Sequence, residues 1–304
     1  MVQVEQPVAK AIENPRTAFA EFLERFREKH EQVYVILGPP RSSSTAFARV
    51  FWEHPSIGYY CHEPFDVTYH KKLDLSHVIK AIERPVSLEA VKNRKHKGKQ
   101  LAVRVGSDHR WVVSIARQPV VSNSLVIKEM TFQIGRNFDL LAAFTNHPLI
   151  FVIRDPRLSI ASRMRKRMEG GEDYIFPLEE SGWNDLDYQI AHCKESNIPY
   201  LIVDSADFRT YPRIIFNKVF KKIGLSFSES MLRWQEKQDI ELGNLEGAQN
   251  HWYKRVLQST GIEPTNEPVP EVDSFPEANG FRVHLSYCLD KYEMMRRDPN
   301  AILV

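Results

Sequence analysis

Apolar residues in this chain gather in short runs, and each run ends in a charged, turn-forming segment that leads into helical spacing. "QVYVIL" (32–37) is β-branched and apolar, which predicts a buried strand. "LGPPRSSST" (37–45) breaks that run, and "SSTAFARVFWEH" (43–54) then reads as a helix with serine hydroxyls at its first turn. "HPLIFVIRDPRLSIASRMRKRM" (147–168) repeats the pattern, and "IPYLIVDSADF" (198–208) does so again. "IGYY" (57–60), "LAVRV" (101–105) and "SLVIKEM" (124–130) are further strand candidates. "PRTAFAEFLERFREKH" (15–30) is spaced as an amphipathic helix behind a loose arm at 1–15, and helices are expected at 210–223, 228–237 and 281–297. The Pro-, Glu- and Asn-rich stretch 261–280 reads as loop.

This alternation predicts the α/β class, with a parallel central sheet flanked by helices on both faces. Ligands of such sheets gather at the carboxyl ends of the strands, where all the charged turns above fall. Neither an internal repeat nor a linker interrupts the pattern, so residues 1–304 are expected to form a single domain.

Composition narrows the partners. The chain is 42% hydrophobic and 26% charged with a net charge of +2, ordinary for a globular protein and without a field that would favour nucleic acid or an acidic membrane surface. Two local basic clusters, "KNRKHKGK" (92–99) and "RMRKRM" (163–168), stand out against it; the first is read as a solvated loop or helix end. Three cysteines, Cys61, Cys193 and Cys288, include no CxxC pair, against a disulfide framework or a structural zinc site. The N-terminus lacks an apolar signal core and no apolar run reaches membrane-spanning length, so a cytoplasmic setting is expected. Oligomeric state is not readable from these features.

The 37–45 turn has the placement of a phosphate-binding loop without the Gly-Lys-Ser/Thr ending of a nucleotide hydrolase. Helix-start N–H groups there would face an anion, Arg41 could fork onto two of its oxygens, and Ser42, Ser43, Ser44 and Thr45 could donate hydroxyl protons. A serine-capped helix with an incidental arginine would read the same way. The second turn adds weight, because Arg154 stands at a strand end and Ser162 eight residues later on the following helix.

With these two turns the sequence resembles the sulfotransferases that use 3′-phosphoadenosine 5′-phosphosulfate (PAPS). "PRSSST" (40–45) is similar to their Pro-Arg/Lys-Ser-Gly-Ser/Thr-Ser/Thr loop, and "RDPRLSIAS" (154–162) to their Arg-Asp/Asn-Pro motif with its later serine. "VDSADFRTYPRIIFNKVFKKIGLSF" (203–227) and "HWYKRVLQSTG" (251–261) resemble later segments, the second of bacterial members. The resemblance implies that Arg41, Ser42, Ser44 and Thr45 hold the 5′-phosphosulfate and that Arg154 and Ser162 hold the 3′-phosphate. Ser43 stands where the family usually has glycine, so the loop must tolerate a Cβ there. The family's late Arg-Lys-Gly segment has no clear copy, and Lys254 and Arg255 are the candidates to replace it.

Sulfuryl transfer needs positioning and positive charge, with no divalent metal expected, and a base for the acceptor's proton. The candidates for the base are Glu63 and His62 in "YYCHEPFD" (59–66); adjacent residues of an extended segment face opposite ways, so only one is expected in the site. An "EP" at this place resembles the proposed base of some bacterial members and favours Glu63, which could instead pair structurally with a basic residue. Lys128 could stabilise transferred oxygens or pair with Glu129. Arg104 and His109 rank lower, and Trp111, Trp183, Tyr59 and Tyr60 could line an acceptor pocket or belong to the core. The resulting expectation is a sulfotransferase with a small-molecule acceptor. A repurposed relative that binds a nucleotide or other ligand without transfer, and a divergent P-loop kinase, are the alternatives.

Overall fold

A computed structural model describes residues 15–88, 95–96, 99–100, 103–105, 122–236, 240–242 and 250–304. His109, Trp111 and most of the basic run 92–99 lie outside the described residues, as does the arm before Pro15; Arg104 has only its strand backbone described.

Seven strands build the main sheet: β1 (Val33–Gly38), β2 (Tyr59–His62), β3 (Val86–Ser87), β4 (Leu125–Met130), β5 (Leu149–Ile153), β6 (Tyr200–Asp204) and β7 (Ala301–Ile302). Their spatial order is β7-β6-β5-β1-β4-β2-β3, and all neighbours run parallel except β2 and β3. The β1, β5 and β6 runs are buried at every position because helices cover both faces. Alternate residues therefore feed two cores. Tyr34, Ile36, Val126, Ile150 and Val203 pack under the helices Ser44–Trp52 and Pro212–Lys222, while Val33, Val35, Leu37, Ile127, Phe151 and Ile202 pack on the other side against Phe22, Phe26, Trp183 and Leu285.

The chain leaves the middle of the sheet in both directions. From β1 it reaches β2 and β4 on one side, then crosses to β5 and β6 on the other, so the turn after β1 sits at the switch point where such sheets bind ligands. Register does the rest of the positioning. Gly38 pairs with Met130, and His62 with Lys128, which brings the ends of β1, β2 and β4 level.

Two expected elements differ. The helix expected at 228–237 is, over its described residues 228–236, a 3-10 turn at Glu229–Leu232: Arg233 bridges Gly261, and Trp234 N–H donates to the Thr260 carbonyl at 2.9 Å, so the backbone is spent on a distant strand-like contact. The strand expected at 101–105 is described as Val103–Val105, and it pairs with Ile240–Leu242 outside the main sheet. The loop expected at 261–280 is irregular apart from 3-10 turns at Val272–Ser274 and Ala278–Gly280.

Candidate active site

The turn after β1 is shaped by what can fit. A Cβ on Gly38 would stand 2.6 Å from both Ser42 Oγ and the Val152 carbonyl, so only glycine lets the chain turn this tightly. Arg41 and Ser43 both adopt left-handed backbone, with φ of 64° and 71°. Ser43 is the position where the resembled loops carry glycine, so the Cβ is tolerated at the cost of an unfavourable conformation. Its hydroxyl makes no helix-cap bond; it accepts instead from Arg209 Nε and Nη2, both at 3.3 Å. Ser42 Oγ is fully buried without a hydrogen-bond partner, an unusual state for a hydroxyl.

The two motifs meet. Arg41 Nε donates to Ser162 Oγ at 3.2 Å, and Arg154 Nη1 donates to the Arg41 carbonyl at 3.1 Å. Arg41 also donates through Nη1 to the Trp252 carbonyl at 2.8 Å, with its guanidinium 5.9 Å from that indole ring. Arg154 Nη2 and Arg255 Nη1 each donate at 2.7 Å to the Glu267 carboxylate. Lys254 is exposed and joins none of these contacts. Burial, and then the charges of Arg154, Arg163 and Arg255, pull Arg41 down to about 10 against some help from Tyr253; burial with Arg255 and Arg154 pulls Arg209 to about 10 as well. Arg41 and Arg209, held down first by burial and then by neighbouring arginines, mark a pocket of surplus positive charge, and with the Ser42 hydroxyl that lacks a hydrogen bond this suits an anion of several charges.

The second cluster lies at the ends of β2 and β4. Glu63 has a φ of 48°, and its N–H donates to the Lys128 carbonyl at 2.7 Å, extending the β2–β4 ladder by one step. That left-handed turn overturns the expected alternation. His62 and Glu63 do not point apart: His62 Nε2 lies 3.4 Å from Glu63 Oε1. The same Oε1 accepts from Lys128 Nζ and, at 2.9 Å, from the Tyr253 hydroxyl. His62 Nδ1 pairs with the Tyr60 hydroxyl at 2.7 Å, and its Nε2 is buried without a hydrogen bond.

Lys128 thus pairs with Glu63 and not with Glu129, because neighbouring side chains on a strand face opposite sides of the sheet. Glu129 accepts from the backbone N–H groups of Phe65 and Met130, each at 2.7 Å. Burial would push Glu63 up, but the charges of Lys128 and His62 and the bonds from Lys128 and Tyr253 hold it below the usual carboxylate range. Burial and then the Glu63 charge push Glu129 well above that range. Burial brings His62 down to about 4, against a smaller upward pull from Glu63. Trp183 and Tyr60 sit fully inside the two cores, and Tyr59 packs against one of them.

Arg209, Tyr253 and Glu267 were not singled out from the sequence. Arg209 had a signal, since it opens off a strand end like Arg41 and Arg154, in the third repeat of the same pattern. Tyr253 lies in the family-like 251–261 segment, but nothing there marked it out, and Glu267 had no signal, because only folding carries the helix Asn250–Gln258 and the following segment back over the sheet edge.

Among the described residues, no group of three or more His, Cys, Asp or Glu could hold a metal ion, and no helix is long and apolar enough to cross a membrane. The three cysteines are buried and free. Residues 101–279 match the Sulfotransferase domain family, a span that includes Lys128, Arg154, Ser162, Arg209, Tyr253 and Glu267 and begins after the 37–45 turn and Glu63. No curated protein matches the sequence. Among solved structures, the chain is similar to the sulfotransferase domain from the Synechococcus PCC 7002 olefin synthase, at 16% identity over 87% of this chain and 96% of that one, with a TM-score of 0.48. A likeness at that score adds no argument of its own.

Proposed function

The chain belongs to the Sulfotransferase domain family, and from that premise we propose that it transfers a sulfuryl group from PAPS to a hydroxyl or amine of a small-molecule acceptor. The observation that carries this reading is the convergence of Arg41, Arg154 and Arg209 on one turn at the sheet's switch point, with Arg255 joined to Arg154 through Glu267, beside a buried carboxylate at the next strand end. Arg41, Ser42, Ser43, Ser44 and Thr45 would hold the 5′-phosphosulfate; Arg154, Ser162 and Arg255 would hold the 3′-phosphate. Bound there, PAPS would supply an activated sulfuryl group whose leaving oxygen carries off the bond's electron pair with the adenosine bisphosphate.

Glu63 is the base of this proposal. Its carboxylate takes the proton that the acceptor oxygen or nitrogen loses as the new bond to sulfur forms. Lys128 orients Glu63 and places positive charge beside the developing sulfuryl oxygens, where fixed charge in a dry site counts most. The Tyr253 hydroxyl holds the same Oε1, so the helix Asn250–Gln258 couples the base to the anion turn through Trp252 and Arg41. His62 is a second reading for the base, favoured by its buried Nε2, which makes no hydrogen bond.

Calorimetric titration with adenosine 3′,5′-bisphosphate, beside ATP with magnesium, tests the donor. Wild type is expected to bind the bisphosphate and ignore ATP, and Arg41→Ala to weaken that binding at least ~100-fold, the loss of charge-assisted bonds to one guanidinium. Binding of ATP–magnesium with the bisphosphate ignored would make a kinase the better reading.

A further inference from the structure

Arg154 and Arg255 stand on two elements far apart in sequence, and one side chain holds both. Glu267 accepts from Arg154 Nη2 through Oε2 and from Arg255 Nη1 through Oε1, each at 2.7 Å, and Arg165 Nη2 lies 3.9 Å from Oε2. One oxygen per guanidinium is the geometry in which a planar anion bridges two arginines. The carboxylate is three-quarters buried, and despite burial the bonds and charges of the two arginines hold it below the usual range. Its segment is fastened to the turn at a second point, where Arg209 Nη1 donates to the Glu263 carbonyl at 2.8 Å while its other nitrogens hold Ser43.

We propose that Glu267 is an internal surrogate for the 3′-phosphate, a specificity-determining residue that occupies the Arg154–Arg255 subsite until a nucleotide's 3′-phosphate displaces it. This rests on the PAPS reading of the site and deepens it. A carboxylate offers two oxygens and one charge, whereas a phosphate monoester offers three terminal oxygens and close to two charges at neutral pH. A small free anion arriving alone must displace a tethered competitor, and so is turned away. A 3′-phosphate arrives already anchored through the 5′ end on the 41–45 turn, at high effective concentration, and can win. The cost is a weaker hold on the 3′-phosphorylated nucleotide, since only molecules with Glu267 released are competent to take it. Glu267 therefore lowers the affinity for donor and product alike while excluding simple anions from the subsite.

Calorimetric titration of full-length wild type and Glu267→Gln with adenosine 3′,5′-bisphosphate and with adenosine 5′-phosphate, which differ only in the 3′-phosphate, reads this directly. Glu267→Gln is expected to bind the bisphosphate about tenfold more tightly, the gain if the engaged state holds roughly nine-tenths of the molecules. Its affinity for the monophosphate should stay within twofold of wild type, and inorganic sulfate should compete against the bisphosphate better than it does in wild type. The gain should vanish in Glu267→Gln with Arg154→Ala, because the two share one subsite. Glu267→Ala, with its melting temperature recorded, repeats the test without the amide. A wild type that binds the bisphosphate and a variant that binds it no better would overturn the surrogate role and leave the PAPS reading standing. Equal gains for both nucleotides would also overturn it, as a general field effect. Failure of either protein to bind the bisphosphate would overturn the PAPS reading and this proposal together.

Discussion

Two charge clusters share one edge of the sheet, and their accounts are closed differently. Around the turn after β1, Arg41, Arg154, Arg209 and Arg255 lean on backbone carbonyls, hydroxyls and the single carboxylate of Glu267, and burial followed by the neighbouring arginine charges holds Arg41 and Arg209 below the usual range. At the ends of β2 and β4, one lysine meets one glutamate, while burial and the neighbouring Glu63 charge lift Glu129 out of the usual carboxylate range. The first cluster carries surplus charge that a polyanion would neutralise. The second is charge-matched and buried, so its groups hold their positions without a ligand. A site that must release an anion repeatedly is served by the first arrangement, and a group that must keep one orientation by the second.

Glu63→Gln probes the charge-matched cluster with the largest expected effect. Turnover should fall ~10²–10⁴-fold, the range for loss of a general base, while bisphosphate affinity stays within about twofold because Glu63 bonds Lys128 and Tyr253 and no residue of the 37–45 turn directly. Rates of sulfuryl transfer measured beside calorimetry check this. Full activity would hand the base to His62. A matching loss of nucleotide affinity would mean that the two clusters are one unit.

Acid should weaken the fold through buried histidines before it reaches Glu63. Burial holds His62 at about 4 in the folded chain, below its ordinary 6.5. Below pH 6.5 the unfolded chain takes up a proton that the folded one refuses, so stability present above 6.5 is lost as pH falls toward 4. From pH 7.5 to pH 5 His62 alone should cost about 2 kcal/mol. His30, lowered to about 4 mainly by burial, adds in the same direction. Glu63, held low, keeps its contribution down to more acid pH still. Urea unfolding at the two pH values, in wild type and His62→Gln, should show a smaller loss in the variant; equal losses would place the acid sensitivity elsewhere.

The smallest expected effect separates strain from bonding in the anion turn. Ser43→Gly relieves a left-handed non-glycine backbone, worth about 1 kcal/mol, and gives up two long hydrogen bonds from Arg209. The melting temperature should rise by about 2 °C. A fall would show that the Arg209 contact outweighs the strain, and that the surplus charge itself helps to hold the turn.

The charge-rich turn was largely legible before folding. Arg41 and Arg154 each lie within a few residues of a strand end and Ser162 on the helix that follows, so local spacing already places them at one sheet edge, and Arg209, on the short helix after β6, follows the same rule. The charge-matched cluster was only half legible. Glu63 and Lys128 could be named, but their pairing depended on β2 and β4 lying side by side in the register that sets His62 opposite Lys128. The Lys128–Glu129 pair, one of the two readings open for Lys128, failed for a local reason, the alternation of side chains along a strand, and the expected separation of His62 from Glu63 failed because one left-handed residue ended that alternation.

By itself, then, the sequence determined what depends on neighbours along the chain: the buried β-branched runs, the helices that begin at Ser44 and Pro156, the α/β class, and the strand-end arginines. Tertiary structure alone decided which distant groups share an atom. Tyr253 and Lys128 meet on one oxygen of Glu63, and Arg154 and Arg255 on one carboxylate of Glu267. Short-range periodicity carries no record of such meetings, because they follow from strand register and from the path of the chain after the Asn250–Gln258 helix, which long-range packing sets.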